Sequence, residues 1–310
     1  MNLLDNLGIS YKAGYLIQGN QIERCNVSTK LNVLKTELML RTDGKDSNID
    51  NILKNYKGDV VFHLPAINPD LSNLDVVNNV VKELKKRDVK LITIDASNLS
   101  LDLFEWSTID EQKKYFLNMV TAIATIASNK VKIAIQNLKS DDVETKFGAS
   151  MGQITDLLVC SKKLLVKDFG IKEEEADNYI GISLNVDNIN LIDEKESIIN
   201  YLEVFNDYIS CIKVHDTNHL SEIIDYVKEK NIPLFMQTKS DLDDIEEEYN
   251  NFKNSIVSYL NDKGIQVESN SKNKIKKKNI NNKGFSNIII YTMVVLTIVI
   301  IILMFMVKLK

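Results

Sequence analysis

Three observations predict an α/β chain built as a (β/α)8 TIM barrel followed by a C-terminal transmembrane helix. Short runs rich in β-branched and apolar residues alternate with amphipathic helical stretches, these runs number eight, and after the last comes a polar segment and then twenty residues without a charge. Eight β-α units in one domain of roughly 260 residues suit a closed parallel barrel in number and in size. An open doubly wound sheet, which would bind its ligand at a single switch point, is the structural alternative.

The strands are read as Leu7-Lys12, Leu34-Leu40, Val60-Leu64, Lys90-Asp95, Lys132-Asn137, Ile180-Val186, Cys211-His215 and Pro233-Thr238. Each is a short, β-branched or apolar run bounded by polar or turn-forming residues. Between them the 3.6-residue spacing of apolar positions predicts helices over Asp75-Lys86, Asp110-Ser128, Gly152-Lys167, Glu194-Tyr208 and His219-Glu229. Ser240-Asp-Leu-Asp243 reads as a capping box opening a last helix, with Glu246-Glu-Glu248 as its solvated face. Glu173-Glu-Glu175 is read the same way, since a calcium loop would need a central glycine.

Side chains along a strand point alternately to its two faces, and the split here is consistent. Val60 and Phe62 oppose Val61 and His63, Ile92 and Ile94 oppose Thr93 and Asp95, and Ile133 and Ile135 oppose Ala134 and Gln136. Ile182 and Leu184 oppose Ser183 and Asn185, Ile212 and Val214 oppose Lys213 and His215, and Leu234 and Met236 oppose Phe235 and Gln237. One face is apolar and suited to packing under helices. The other ends in a polar residue near the strand's carboxyl end, where a parallel barrel builds its site. An ordinary polar strand end explains any one of these residues. Six of them converging on one mouth (His63, Asp95, Gln136, Asn185, His215 and Gln237) argue for a ligand pocket.

The run Ile288 to Val307 reaches roughly 30 Å as a helix, the thickness of a bilayer's hydrocarbon core. Fourteen of its twenty residues are Ile, Leu, Val or Phe, which favours insertion by roughly 4 to 8 kcal/mol. Lys272, Lys274, Lys276, Lys277, Lys278 and Lys283 precede the run, whereas only Lys308 and Lys310 follow it. The lysine excess predicts that the barrel faces the cytoplasm and that the chain is a single-pass, tail-anchored protein of a membrane. The expected organisation is a barrel over residues 1–263, a polar lysine-rich linker over 264–287 and a transmembrane helix over 288–307. The linker's lysines either enforce topology or also lie against anionic headgroups.

All but eight of the 38 basic residues precede residue 272, together with all 43 acidic ones, a formal balance of −13. Such acidity argues against nucleic acid as a partner, because phosphate binding draws on clustered lysine and arginine. Cys25, Cys160 and Cys211 are too few and too scattered for a disulfide framework or a zinc ribbon, and are expected to pack.

The order Leu7-Gly-Ile-Ser10, Glu37, His63-Leu-Pro65, Ala134-Ile-Gln-Asn-Leu138, Gly181-Ile-Ser-Leu-Asn185, Lys213-Val-His-Asp216 and Leu234-Phe-Met-Gln237 resembles the xylose isomerase-like TIM-barrel superfamily. That superfamily includes sugar phosphate isomerases and epimerases and endonuclease IV. The resemblance runs strand by strand through most of residues 7 to 245, in motifs that are individually short. It implies a divalent-metal site made by a Glu ending the fifth strand, an Asp ending the sixth, a His in the seventh and a Glu ending the eighth. Here Gln136, Asn185, Lys213 and Gln237 stand at those positions, and Asn188 stands where the pattern tends to carry a further histidine. Divalent metals are held by carboxylates and neutral imidazoles, so three amides and an ammonium should repel them. The pattern's second-strand Glu and third-strand His correspond to Glu37 and His63. A register shift of two residues would instead make Asp187 the sixth-strand carboxylate.

Other arrangements have plainer readings. His215 and His219 are spaced i, i+4, but His215 ends a strand and only His219 starts a helix, which argues against a shared metal. Lys213 could form a Schiff base if desolvated, although filling the missing metal's position with its own charge is the reading preferred here. Gly148-Ala-Ser-Met-Gly152 matches no phosphate-loop spacing and reads as a turn and N-cap. The expectation is therefore a membrane-anchored, non-catalytic ligand-binding or scaffolding barrel with no metal and no cofactor. Candidate ligand-binding residues are His63, Asp95, Gln136, Asn185, Lys213, His215, Asp216 and Gln237, and candidate partners are the bilayer, a small sugar-like ligand or a membrane protein. The alternative is a metal-free sugar phosphate isomerase or epimerase in which Glu37, Lys213 and His215 are the acid-base groups. An abasic-site endonuclease fits the acidic barrel least.

Overall fold

The strands β1 (Leu7–Ser10), β2 (Lys35–Met39), β3 (Asp59–Leu64), β4 (Leu91–Asp95), β5 (Lys132–Gln136), β6 (Ile180–Asn185), β7 (Ile209–Val214) and β8 (Leu234–Gln237) close in sequence order into one parallel barrel. The structure is a computed structural model and describes residues 3–11, 21–40, 49–97, 99, 105, 107–139, 147–189, 197–238 and 244–265. Closure is made by β1 pairing with β8 over Leu7–Ser10 and Leu234–Gln237. The chain divides into two units, Met1–Val267 and Glu268–Lys310. The barrel lies in the first. The apolar run 288–307 lies outside the described residues, and among the described residues no helix is long and apolar enough to cross a membrane.

Each predicted strand is present, with ends that differ by at most two residues. Two differ by two residues: β1 ends at Ser10 rather than Lys12, and β7 begins at Ile209 rather than Cys211, where the β6–β7 pairing shifts register between Ile182 and Ser183. The irregularity leaves Ser210 unmatched and sets Asn185 opposite Lys213. The sixth strand ends at Asn185, and Asp187 sits in a following 3-10 turn, Val186–Asn188. Asn185 thus occupies the strand end and Asp187 the turn that follows it.

Helices cover the outside: α1 (Gln21–Lys30), α2 (Ile49–Asn55), α3 (Leu74–Lys86), α4 (Ile109–Ala127), α5 (Met151–Phe169), a short α6 (Glu173–Ala176), α7 (Ile198–Val204), α8 (Leu220–Lys230) and α9 (Ile245–Asp262). Their starts follow local chemistry. Thr108 with Glu111 caps α4 and Ser150 with Gln153 caps α5, each pair satisfying two amides that the first helical turn leaves open. The proposed box at Ser240–Asp243 lies outside the described residues. The helix predicted over Glu194-Tyr208 is α7, and residues 190–196 are also outside.

The buried positions of α8 (Leu220, Ile223, Ile224, Val227) and of α9 (Ile245, Tyr249, Phe252, Ile256, Leu260) recur every three or four residues. They make one stripe that packs on the barrel. The outward strand residues Ile92, Ile94, Ile133, Ile135, Ile182, Leu184, Ile212, Val214, Leu234 and Met236 are buried with these helical positions in one continuous core. A second, separate cluster of Val61, Cys211 and Phe235, with Leu91 against it, plugs the lower barrel interior. Gly8 gives that plug its room, since a Cβ there would stand 2.6 Å from the Phe235 ring and 2.7 Å from the Lys35 carbonyl oxygen.

Candidate functional site

Above the apolar plug the inward positions become polar, and their centre is an ion pair across the barrel. Glu37 on β2 and Lys213 on β7 are both buried, with Lys213 Nζ 2.5 Å from Glu37 Oε1 and 2.7 Å from Gln136 Oε1. The Ser10 hydroxyl donates to Glu37 Oε2, and the Thr93 hydroxyl donates to Oε1. Burial is the strongest influence on Glu37 and raises its pKa. The Lys213 charge, nearby His63 and the hydrogen bonds from Lys213 and Ser10 together outweigh it and hold the carboxyl at about 2.

Bonding fixes two assignments that atom positions alone leave open. The single Thr93 hydroxyl hydrogen goes to Glu37, so at 2.9 Å Thr93 Oγ1 accepts from His63 Nδ1, which must carry a hydrogen. His63 Nε2 then faces Asp95 Oδ1 at 3.6 Å. Gln136 Nε2 donates to Asp95 Oδ1 at 3.0 Å while its Oε1 accepts from Lys213, so its amide has one satisfactory orientation. The series Asp95, Gln136, Lys213, Glu37 alternates acceptor and donor without a gap.

A second cluster lies beside it at the ends of β5, β6 and β8. Asn185 Nδ2 donates to Gln237 Oε1 at 3.0 Å. The Asn137 side chain brackets the Asn185 backbone, accepting from its amide at 2.7 Å and donating to its carbonyl at 2.9 Å. Asn188 Nδ2 donates to the Asn137 carbonyl at 2.8 Å. At the rim, Asp187 Oδ2 accepts from the His215 backbone amide at 2.6 Å, tying the turn after β6 to the end of β7. His215 Nδ1 lies 3.2 Å from the Gln237 carbonyl oxygen. A carbonyl only accepts, so Nδ1 carries a hydrogen, and in the neutral ring the lone pair is on Nε2.

Of the residues singled out by sequence, Glu37, His63, Asp95, Gln136 and Lys213 form one connected group, and Asn185, Gln237 and His215 form the neighbouring one. Asp216 joins neither: its carboxylate accepts from the Asn218 backbone amide at 2.9 Å and the Asn218 side chain at 3.0 Å in an exposed turn. His219 is the N-cap residue of α8, with Nδ1 3.4 Å from Glu222 Oε1, whereas His215 Nδ1 meets the Gln237 carbonyl. The Gly148 amide donates to Gln153 Oε1 at 2.8 Å, so the 148–152 loop spends that donor on its own helix cap. Ser10, Thr93 and Asn137 complete the site but were not selected from sequence. Inward parity with Asp95 marks Thr93, and Ser10 ends β1. Nothing periodic marks Asn137.

A divalent metal does not fit this donor set. The four positions implied by resemblance bear three neutral amides and an ammonium: Gln136 is held by Asp95 and Lys213, Asn185 by Gln237 and the Asp187 backbone amide, and Lys213 by Glu37 and Gln136. Among the described residues no group of three or more His, Cys, Asp or Glu side chains could hold an ion. Cys211, beneath Lys213, has its thiol pushed up to about 11 by burial, which leaves it an inert packing group.

No family model matches the chain, and no curated protein matches it. Solved structures do. A D-tagatose 3-epimerase-like protein is 14% identical with a TM-score of 0.59, covering 85% of this chain and 100% of its own. D-psicose 3-epimerase from Clostridium cellulolyticum H10 is 12% identical with a TM-score of 0.59, covering 84% and 99%. An AP endonuclease, family 2, from Brucella melitensis is 11% identical with a TM-score of 0.58, covering 82% and 99%. At such identities the likeness is one of fold. The chain is a closed eight-stranded parallel (β/α)8 barrel, similar in fold to these sugar epimerases and to the AP endonuclease.

Proposed function

We propose that this chain is a metal-independent ligand-binding barrel, held at the cytoplasmic face of a membrane by residues 288–307. The observation that carries the reading is the Lys213–Glu37 pair. It fills the centre of the site with a balanced charge, and the side chains of Gln136, Asn185 and Gln237 beside it are uncharged amides. Amides and imidazoles at the end of a barrel suit a small hydroxylated ligand, whose hydroxyls both donate and accept. The sugar epimerases of the same fold make a sugar-like ligand the first choice. The tether is supported by the length and apolarity of the 288–307 run and by the lysines before it.

The pair also argues against acid-base chemistry through Glu37. A general base works best with a pKa near the working pH, whereas Glu37 is held at about 2 with both oxygens hydrogen-bonded. One observation favours the second reading, a metal-free isomerase or epimerase: the Gln237 carbonyl holds His215 Nδ1, which in the neutral ring leaves the lone pair on Nε2. The test is equilibrium binding and turnover of D-tagatose, D-psicose and D-fructose by the full chain in detergent, with and without manganese. Binding without turnover is expected. Turnover that His215→Ala abolishes would establish the enzyme instead.

A further inference from the structure

The four strand-end positions that hold a metal in the resemblance still converge here. Gln136 and Lys213 are 2.7 Å apart, Asn185 is the register neighbour of Lys213, and Asn185 meets Gln237 at 3.0 Å. What has changed is the charge, in a coordinated way. Glu37 is a fully buried carboxylate, and a buried anion needs a cation within contact distance. The ammonium of Lys213 reaches it from the seventh strand. Once that single positive charge is balanced by Glu37, a carboxylate at position 136 would leave a buried negative excess. The amide there instead donates to Asp95 and accepts from Lys213.

We infer that Lys213 is a tethered cation which takes the place of a divalent ion among the ends of β5 to β8, so that the barrel carries its central positive charge covalently. The inference rests on the metal-independent reading and extends it to one atom, Lys213 Nζ. It also explains why three carboxylate positions bear amides: a monovalent cation already paired with Glu37 has no charge left for them. It makes Lys213 a positioning and charge-balancing group, with an ammonium committed to Glu37 and not available as a nucleophile.

The test uses the full chain in detergent. Lys213→Met and Glu37→Gln each strand a buried charge or donor, and each should lower the melting temperature markedly. The double variant should recover more than half of the summed loss. In manganese titrations wild type should bind no stoichiometric ion, whereas the fourfold variant Gln136→Glu, Asn185→Asp, Lys213→His, Gln237→Glu should bind one per chain at least a hundredfold more tightly. Losses that simply add in the double variant would overturn the inference, as would a folded fourfold variant that binds no better than wild type. If the fourfold variant does not fold, the melting cycle decides. Sugar turnover by wild type would end the binding-module reading yet leave the cycle's outcome intact, so the two can fail separately.

Discussion

The barrel interior has two tiers, and four strands contribute to both. Val61, Leu91, Cys211 and Phe235 face the lower one, and two residues further along the same strands His63, Thr93, Lys213 and Gln237 face the upper one. The lower tier is apolar, so its energy is graded with area and volume. The upper tier is a chain of donors and acceptors in which each group's worth depends on its neighbour being present. A step of two residues along β3, β4, β7 and β8 thus separates a plug from a site.

Variants can break this contrast. The largest effect is expected for Lys213→Met, which leaves Glu37 buried and unbalanced at a cost of about 3–5 kcal/mol, and chemical denaturation should show most of it recovered on adding Glu37→Gln. Phe235→Ala should cost up to about 3–5 kcal/mol through the cavity beside Gly8, with no rescue from any polar partner. Acid separates the tiers by a different route. Glu37 is depressed from 4.5 to about 2, so the stability it contributes is fully present above about pH 4.5 and is lost as the pH falls towards 2. The Lys213→Met, Glu37→Gln double variant should show a shallower acid limb in melts across that window. Phe235→Ala should keep the wild-type slope. The smallest effect is expected for Gln237→Ala, which strips the Asn185 amide of its acceptor and should cost about 1–3 kcal/mol.

Much of the lower architecture was legible in the sequence because period-two alternation reports which face a residue takes, and the large residues opposite His63, Asp95 and Gln136 do pack under helices. Strand ends were less legible. The irregularity before Ser183 extends β7 to Ile209, and only pairing with β6 reveals it. The partner of Lys213 was not legible either, since Glu37 lies 176 residues earlier and meets it only through barrel closure. Alternation could have warned against Asp216, which has the opposite parity to Lys213 and lies in a turn bonded to Asn218. Asn137 acts by bracketing the backbone of another strand, a role that neither spacing nor residue type announces.

The most direct test of a barrel that needs no metal is the metal content of the full chain, purified in detergent without chelator or metal-binding tag and re-equilibrated with manganese, zinc and magnesium before mass spectrometry. The Lys213–Glu37 centre predicts far less than one ion per folded chain, unchanged in Asp216→Asn. A near-stoichiometric metal that is lost when Gln136 or Asn185 is replaced by leucine would contradict it.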